Sequence, residues 1–321
     1  MQDAVASRSE LNAAFYSFTQ DILGVLGQAM SAVQARSTEP SPIPPPLLQV
    51  KRGYAESPGW FLVQAAEFDP EPLTVAGLRI RDIYASEAIV QALLDMMASE
   101  KWLDRRDNGE YFLDQTARDI LQRSRDRQNR YIAQLEPLPA EEMAELKQLL
   151  SRVIEACRQA PGPEGWCLSH SINRSPDDRA RPLNQIRQYL EDLNAFRDDA
   201  HMAAWQPYNI SGHVWEAFAH VCSGEAATGD ALFNLLSHRG NSRSDYSAAL
   251  AELAARGWIT ESSDDSGYIV SPQGQEIRGT VEGLTDSYFF GPWKSNLSEG
   301  EIPRLRDLLE KMQLGLEAAA L

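Results

Sequence analysis

One order of elements occurs twice along this chain, and few folds accommodate it. From Tyr246 to Arg256, strong helix formers place Leu250 and Leu253 on one face. Gly257 supplies the stop, and Trp258-Ile259-Thr260 reads as a short strand. The chain turns across Glu261 to Gly267, returns through Tyr268-Ile269-Val270, and enters a new helix at Ser271-Pro272, an N-cap followed by an N1 proline. Placing Trp102 on Trp258 sets Leu94 on Leu250, Met97 on Leu253 and Leu103 on Ile259. With one residue inserted in the hairpin, Tyr111 meets Tyr268, Asp114 meets Ser271 and Ile120 meets Ile277. A further slip of roughly two residues brings Leu138, Glu142, Leu146, Leu149 and Leu150 onto Leu297, Glu301, Leu305, Leu308 and Leu309. Apolar matches alone arise between unrelated amphipathic helices. A tryptophan, a hairpin tyrosine and helix caps matching in one order point to an internal duplication.

Helix, two-stranded wing, helix is the grammar of a winged-helix unit. The expected fold is therefore mainly α: two tandem winged-helix units, about 50–160 and 206–321, related by approximate twofold symmetry as an intramolecular pseudo-dimer with small β-hairpin wings. The chain divides into an N-terminal flanking helix (1–38), a Pro-rich linker (39–49), the first unit (50–160), a second linker (161–182), and a flanking helix plus the second unit (183–321). Ser9 to about Ala35 carries an amphipathic stripe of Leu11, Phe15, Phe18, Ile22 and Val25. Glu39 to Pro46 reads as a stiff polyproline-like spacer. Helices are expected over Gly59–Phe68, Leu73–Tyr84 and Ser86–Glu100, with the first wing turning at Asp107-Asn-Gly109. A basic helix with Arg118, Arg123, Arg125, Arg127 and Arg130 follows to about Ala133, and another runs from Pro139 to about Ala160. Residues 166–182 read as irregular, Leu183–Trp205 as a long helix, and Ser298 with Glu301 as a capping box.

The composition excludes several classes. No apolar run approaches the roughly 20 residues of a membrane span, and the N-terminus lacks a basic-then-apolar signal, so no membrane partner and a cytoplasmic setting are expected. Three cysteines, Cys157, Cys167 and Cys222, have no paired spacing, which argues against a disulfide framework. Cys167 and His170 are spaced like metal ligands, but no second close pair accompanies them, and no metal or cofactor is expected. No nucleophile–base arrangement or phosphate-binding glycine loop is present, so catalytic residues are not expected. A net charge of −16 argues against sequence-independent binding to nucleic acid, while a local patch can still engage duplex DNA.

The order of elements in each half resembles the MarR-type winged-helix family. That resemblance implies a DNA-reading dimer released by small aromatic or anionic ligands, here fused as two copies in one chain. A closer resemblance covers roughly Leu183 to Met312. Arg197-Asp-Asp-Ala-His201, Arg256-Gly-Trp-Ile259, Ser271-Pro-Gln-Gly274, Glu282-Gly-Leu-Thr-Asp286 and Pro292-Trp293 look like the SalK-type winged-helix family, found beside antibiotic biosynthesis genes. The sequence departs from that family's usual glycines at Asp198 and Ala200.

Two sets of residues could carry function. A recognition helix presents its N-terminal turns to base edges while the wing tracks the backbone. Asn241, Ser242, Arg243, Ser244 and Tyr246 are suited to the first task, Arg105 and Arg106 to the second. The second wing tip, Glu261-Ser-Ser-Asp-Asp265, carries acids that repel phosphate. In the long helix, Ile186, Leu190, Leu193, Phe196 and Ala200 define the apolar face; Arg197 falls inside that stripe, His201 at its edge, and Asp199 points away. A buried arginine must meet an acid. One expectation is an internal salt bridge to Asp286 or Glu282. The other is a pocket for a small anionic or aromatic ligand, formed by Arg197, His201, Trp205, Trp215 and Asp286. The function expected from these features is a ligand-responsive, DNA-binding transcriptional regulator, as a monomeric pseudo-dimer or a homodimer. The alternative is a ligand-binding or catalytic accessory protein of secondary metabolism that has lost DNA binding.

Overall fold

The computed structural model of the chain describes residues 11–38, 64–176, 180–263 and 267–321. The Pro-rich segment, most of the expected Gly59–Phe68 helix, and Asp264 and Asp265 of the second hairpin lie outside them. The described residues are mainly helical with two small antiparallel hairpins: α1 (Ala13–Ala35), α2 (Val75–Arg81), α3 (Glu87–Ser99), β1 (Leu103–Arg105), β2 (Tyr111–Leu113), α4 (Gln115–Ile132), α5 (Ala140–Gln159), α6 (Trp166–Ile172), α7 (Pro182–Trp205), α8 (Gly212–Ser223), α9 (Gly229–Leu236), α10 (Arg243–Ala255), β3 (Ile259–Glu261), β4 (Tyr268–Val270), α11 (Pro272–Asn296) and α12 (Glu301–Ala320). They fall into two compact units that cut across chain order: Met1–Pro42, Gln122–Ala203 and Leu284–Leu321 form one, Ile43–Leu121 and Ala204–Gly283 the other.

Among its described residues, the first unit has helices and no strand. Its core joins Phe15, Ile22 and Leu26 of α1, Leu146 and Leu150 of α5, Leu190 and Leu193 of α7, Phe289 and Trp293 of α11, and Leu305 and Leu309 of α12. The α1 stripe faces this core because burial of apolar area, rather than helix propensity, holds such helices. Phe15 meets Trp293 edge-on at 5.8 Å. Helix α6, read as irregular from sequence, is held from outside: the buried carboxylate of Asp199 accepts the N–H groups of Cys167 (2.8 Å) and Leu168 (3.0 Å) at its first turn. A capping group more than thirty residues away leaves no local signal. Glu301 accepts from both the N–H and the hydroxyl of Ser298, but α12 begins only at Glu301, which also pairs with Arg152.

The second unit holds two helix–turn–helix–hairpin segments. Helix α2 starts where the Thr74 hydroxyl accepts from Gly77 N–H, later than expected, and α9 starts likewise from Thr228 to Ala231. Ser86 caps α3, and Ser242 with Asp245 makes a complete capping box on α10. Both tryptophans make the same bonds: Trp102 donates to the Met97 carbonyl and accepts from Asp114, while Trp258 donates to Leu253 and accepts from Ser271. Leu103 pairs with Leu113 in one hairpin and Ile259 with Val270 in the other. A third segment lies along each hairpin, Leu73 on Tyr111 and Ala227 on Tyr268.

Candidate functional site

Among the residues expected to face DNA, Arg105 is half exposed and pairs with Asp95 at 3.0 Å, over the Tyr111 ring. The Tyr111 hydroxyl donates to Asp95 at 2.7 Å and holds that carboxyl below its usual range. Arg106 lies over Phe112 at 5.0 Å. On α10, Ser242 and Ser244 are exposed and their hydroxyls are 2.7 Å apart. Arg243 pairs with Asp230 and covers the Phe233 ring at 4.6 Å, with about half its side chain in solvent. Tyr246 is fully buried, its hydroxyl donating to the Leu236 carbonyl, and the Asn241 amide donates to the Tyr84 carbonyl at 3.3 Å. Of the basic residues on α4, Arg118 is bound bidentately by Asp69, Arg127 is buried beside Tyr131, and Arg123 and Arg125 are exposed.

The Asn241 contact is part of a larger junction between the two helix–turn–helix segments. Arg239 donates to Asp82 at 2.6 Å and to Glu216 at 2.9 Å, and its guanidinium lies 5.3 Å from the Tyr84 ring centroid. The Ser86 N–H donates to the Arg239 carbonyl at 2.8 Å, joining the start of α3 to the turn before α10. Two glycines permit this approach. A Cβ on Gly212 would lie 2.1 Å from the Ile83 carbonyl oxygen; one on Gly240, at φ +74°, would lie 2.6 Å from Ile89 Cβ. Burial pushes the Asp82 carboxyl up to about 6 and raises Glu216 as well, in both cases against the pull of Arg239. Sequence reasoning missed Asp82, Glu216 and Arg239, because their partnership is long-range and each alone reads as an ordinary surface charge.

The ligand candidates divide between the units. In the helical unit, Arg197 is 8% exposed and donates to Asp286 at 2.9 Å. Its guanidinium lies 4.3 Å from the Tyr16 ring centroid and 5.4 Å from that of Phe289. The other Asp286 oxygen accepts from the Ala13 N–H at 3.2 Å, at the first residue of α1. Burial pushes the Tyr16 hydroxyl up to about 12. His201 Nδ1 is 3.3 Å from the Thr285 hydroxyl. Trp205 and Trp215 belong to the other unit, where their rings stack 5.8 Å apart and 5° from parallel, with Arg278 over Trp215 at 5.5 Å. A separate cleft of about 420 Å³ in the helical unit is lined by uncharged residues, among them Gln159, Gly162, Tyr288, Gly291 and Ser295.

Cys167 is fully buried, and His170 stacks on Trp166 at 3.9 Å. Among the described residues no group of three or more His, Cys, Asp or Glu could hold a metal ion, and no helix is long and apolar enough to cross a membrane.

A helix-turn-helix family model matches residues 114–320, more than half of the chain. The protein belongs to this helix-turn-helix family. Searches of curated proteins and of solved structures returned no match.

Proposed function

We propose that this chain is a transcription regulator acting on duplex DNA, built as two tandem MarR-like winged-helix units in one polypeptide. The observation that carries the reading is the hydrogen-bond pattern repeated around Trp102 and Trp258, in a chain that belongs to a helix-turn-helix family. In this reading α10 is a recognition helix, with Ser242, Arg243 and Ser244 on its exposed first turn, and Arg105 and Arg106 bring the first hairpin to the phosphate backbone. The SalK-type likeness of the second half lies within the matched residues, 114–320. Helices α1, α5, α7 and α12 take the place of the helices through which two-chain relatives would pair, making the chain a pseudo-dimer in a cytoplasmic setting.

Arg197 is satisfied by Asp286, which supports a structural role for this pair; an anionic or aromatic ligand at Arg197 would have to displace that carboxylate. A second reading, an accessory protein that kept the fold and lost DNA, is favoured by the burial of Tyr246 and the pairing of Arg243 with Asp230. A gel shift with the DNA upstream of the protein's own coding sequence separates the two. A retarded band that weakens in Arg243→Ala supports the regulator. No band at low salt from any folded variant supports the accessory protein.

A further inference from the structure

The junction between the two helix–turn–helix segments occupies the groups best suited to reading bases. Arginine reads the guanine edge and asparagine the adenine edge, each through paired hydrogen bonds. Arg239 and Asn241 lie immediately before α10, where a reading helix enters the groove. Arg239 is held by Asp82 and Glu216, and Asn241 by the Tyr84 carbonyl. The start of α3 is closed by the same contact, since the Ser86 N–H is bonded to Arg239 and Ile89 is packed at Gly240. With the first turns of both reading helices joined, they cannot enter successive major grooves, which lie about 34 Å apart on one face of a duplex.

We propose that the Arg239–Asp82–Glu216 contact is an autoinhibitory latch that withholds Arg239 and Asn241 from duplex DNA. The inference rests on the DNA-binding reading above. Opening separates α3 from the turn before α10 and frees one guanidinium and one amide at the entrance to α10. The latch is suited to release. It holds two carboxylates with one arginine, and one oxygen of Glu216 is buried with no hydrogen-bond partner among the described residues, so closure carries a cost that opening removes.

Gly212→Ala opens the contact without touching its charges, because the added methyl collides with the Ile83 carbonyl while alanine suits the first turn of α8. Two quantities are measured on the full chain: hydrogen exchange of the Ser86 amide, and anisotropy of a labelled duplex pool with a randomised core at low salt. Faster Ser86 exchange and affinity raised about tenfold are expected, with the gain lost in Gly212→Ala/Arg239→Met. The double variant Asp82→Asn/Glu216→Gln is the second opener and should act in the same direction. Opened variants that bind no better than a wild-type protein of measurable affinity overturn the latch and leave the DNA reading standing. Absence of binding by every variant removes the DNA reading and the latch with it.

Discussion

Replacing Arg197 by alanine is the sharpest test of the helical unit. The guanidinium has about a tenth of its side-chain surface exposed, and Asp286 about a quarter. Removing one partner of a buried ion pair costs about 3–5 kcal/mol, because the other charge is left without compensation. Partial solvation of Asp286 puts this case near the lower end, and loss of the guanidinium from the Tyr16 and Phe289 rings adds about 1 kcal/mol. The expected total, about 3–4 kcal/mol, is a large share of a domain's roughly 5–15 kcal/mol. Asp286→Asn should cost a similar amount, since it keeps the volume and the Ala13 hydrogen bond but leaves the more buried guanidinium without a counter-charge. Urea denaturation followed by circular dichroism, run on both variants and the double variant, yields a coupling energy expected between about 1 and 3 kcal/mol. Coupling under about 0.5 kcal/mol with the fold intact would refute the structural pair. An Arg197→Ala protein that melts normally yet fails to bind a carboxylate ligand would instead favour a pocket.

Burial raises the Asp192 carboxyl from 3.8 to about 6, even though Ser171 and Gln188 donate to one of its oxygens. A folded value above the unfolded one favours folding below about pH 4 and loses that advantage as pH rises through 6, by an amount on the order of 3 kcal/mol. Denaturation at a series of pH values should show Asp192→Asn flattening this slope and gaining relative stability above pH 7; an unchanged slope excludes Asp192 as its source. Asp199→Ala strands the Cys167 and Leu168 N–H groups and should cost about 1–3 kcal/mol, with fast amide exchange confined to α6. Protection of those amides as in the wild type would show that Asp199 is dispensable. Trp102→Ala and Trp258→Ala should each cost about 3–5 kcal/mol, both rings being almost fully buried. A tolerated Trp102→Ala beside a destructive Trp258→Ala would separate the two segments.

The parts of this fold written in local chemistry were readable. Ser271 accepts from the Gly274 N–H as its place before Pro272 implied, and the strands that follow Trp102 and Trp258 pair with returning strands that begin after Asn108-Gly109 and after Gly267. Arg197 was legible as a buried charge needing an acid, and Asp286 as a candidate partner, because a helical wheel fixes which side a residue faces. What distant residues decide was not legible. Helix α6 has no cap of its own and borrows Asp199, which the same wheel placed on the polar side of α7 and which is nonetheless buried. The place of Tyr246 in the first turns of α10 suggests a base-contacting group, yet the hydrophobic gain of burying a ring and the Leu236 carbonyl draw it inward. The Arg239 junction depends on two glycines whose reason lies in the carbonyl or side chain opposite each.

The central claim is that this acidic chain engages duplex DNA through a local basic surface, and the salt dependence of binding tests it most directly. Anisotropy of a labelled duplex from the protein's own upstream region, titrated with full-length protein across a series of salt concentrations, yields the slope of log affinity against log salt. Each phosphate neutralised contributes about −0.9 to that slope. The account predicts measurable binding with a clearly negative slope that becomes shallower by about one unit when Arg243 is replaced by alanine. A flat slope, or no binding at the lowest salt by the folded protein and its Gly212→Ala variant alike, would contradict it.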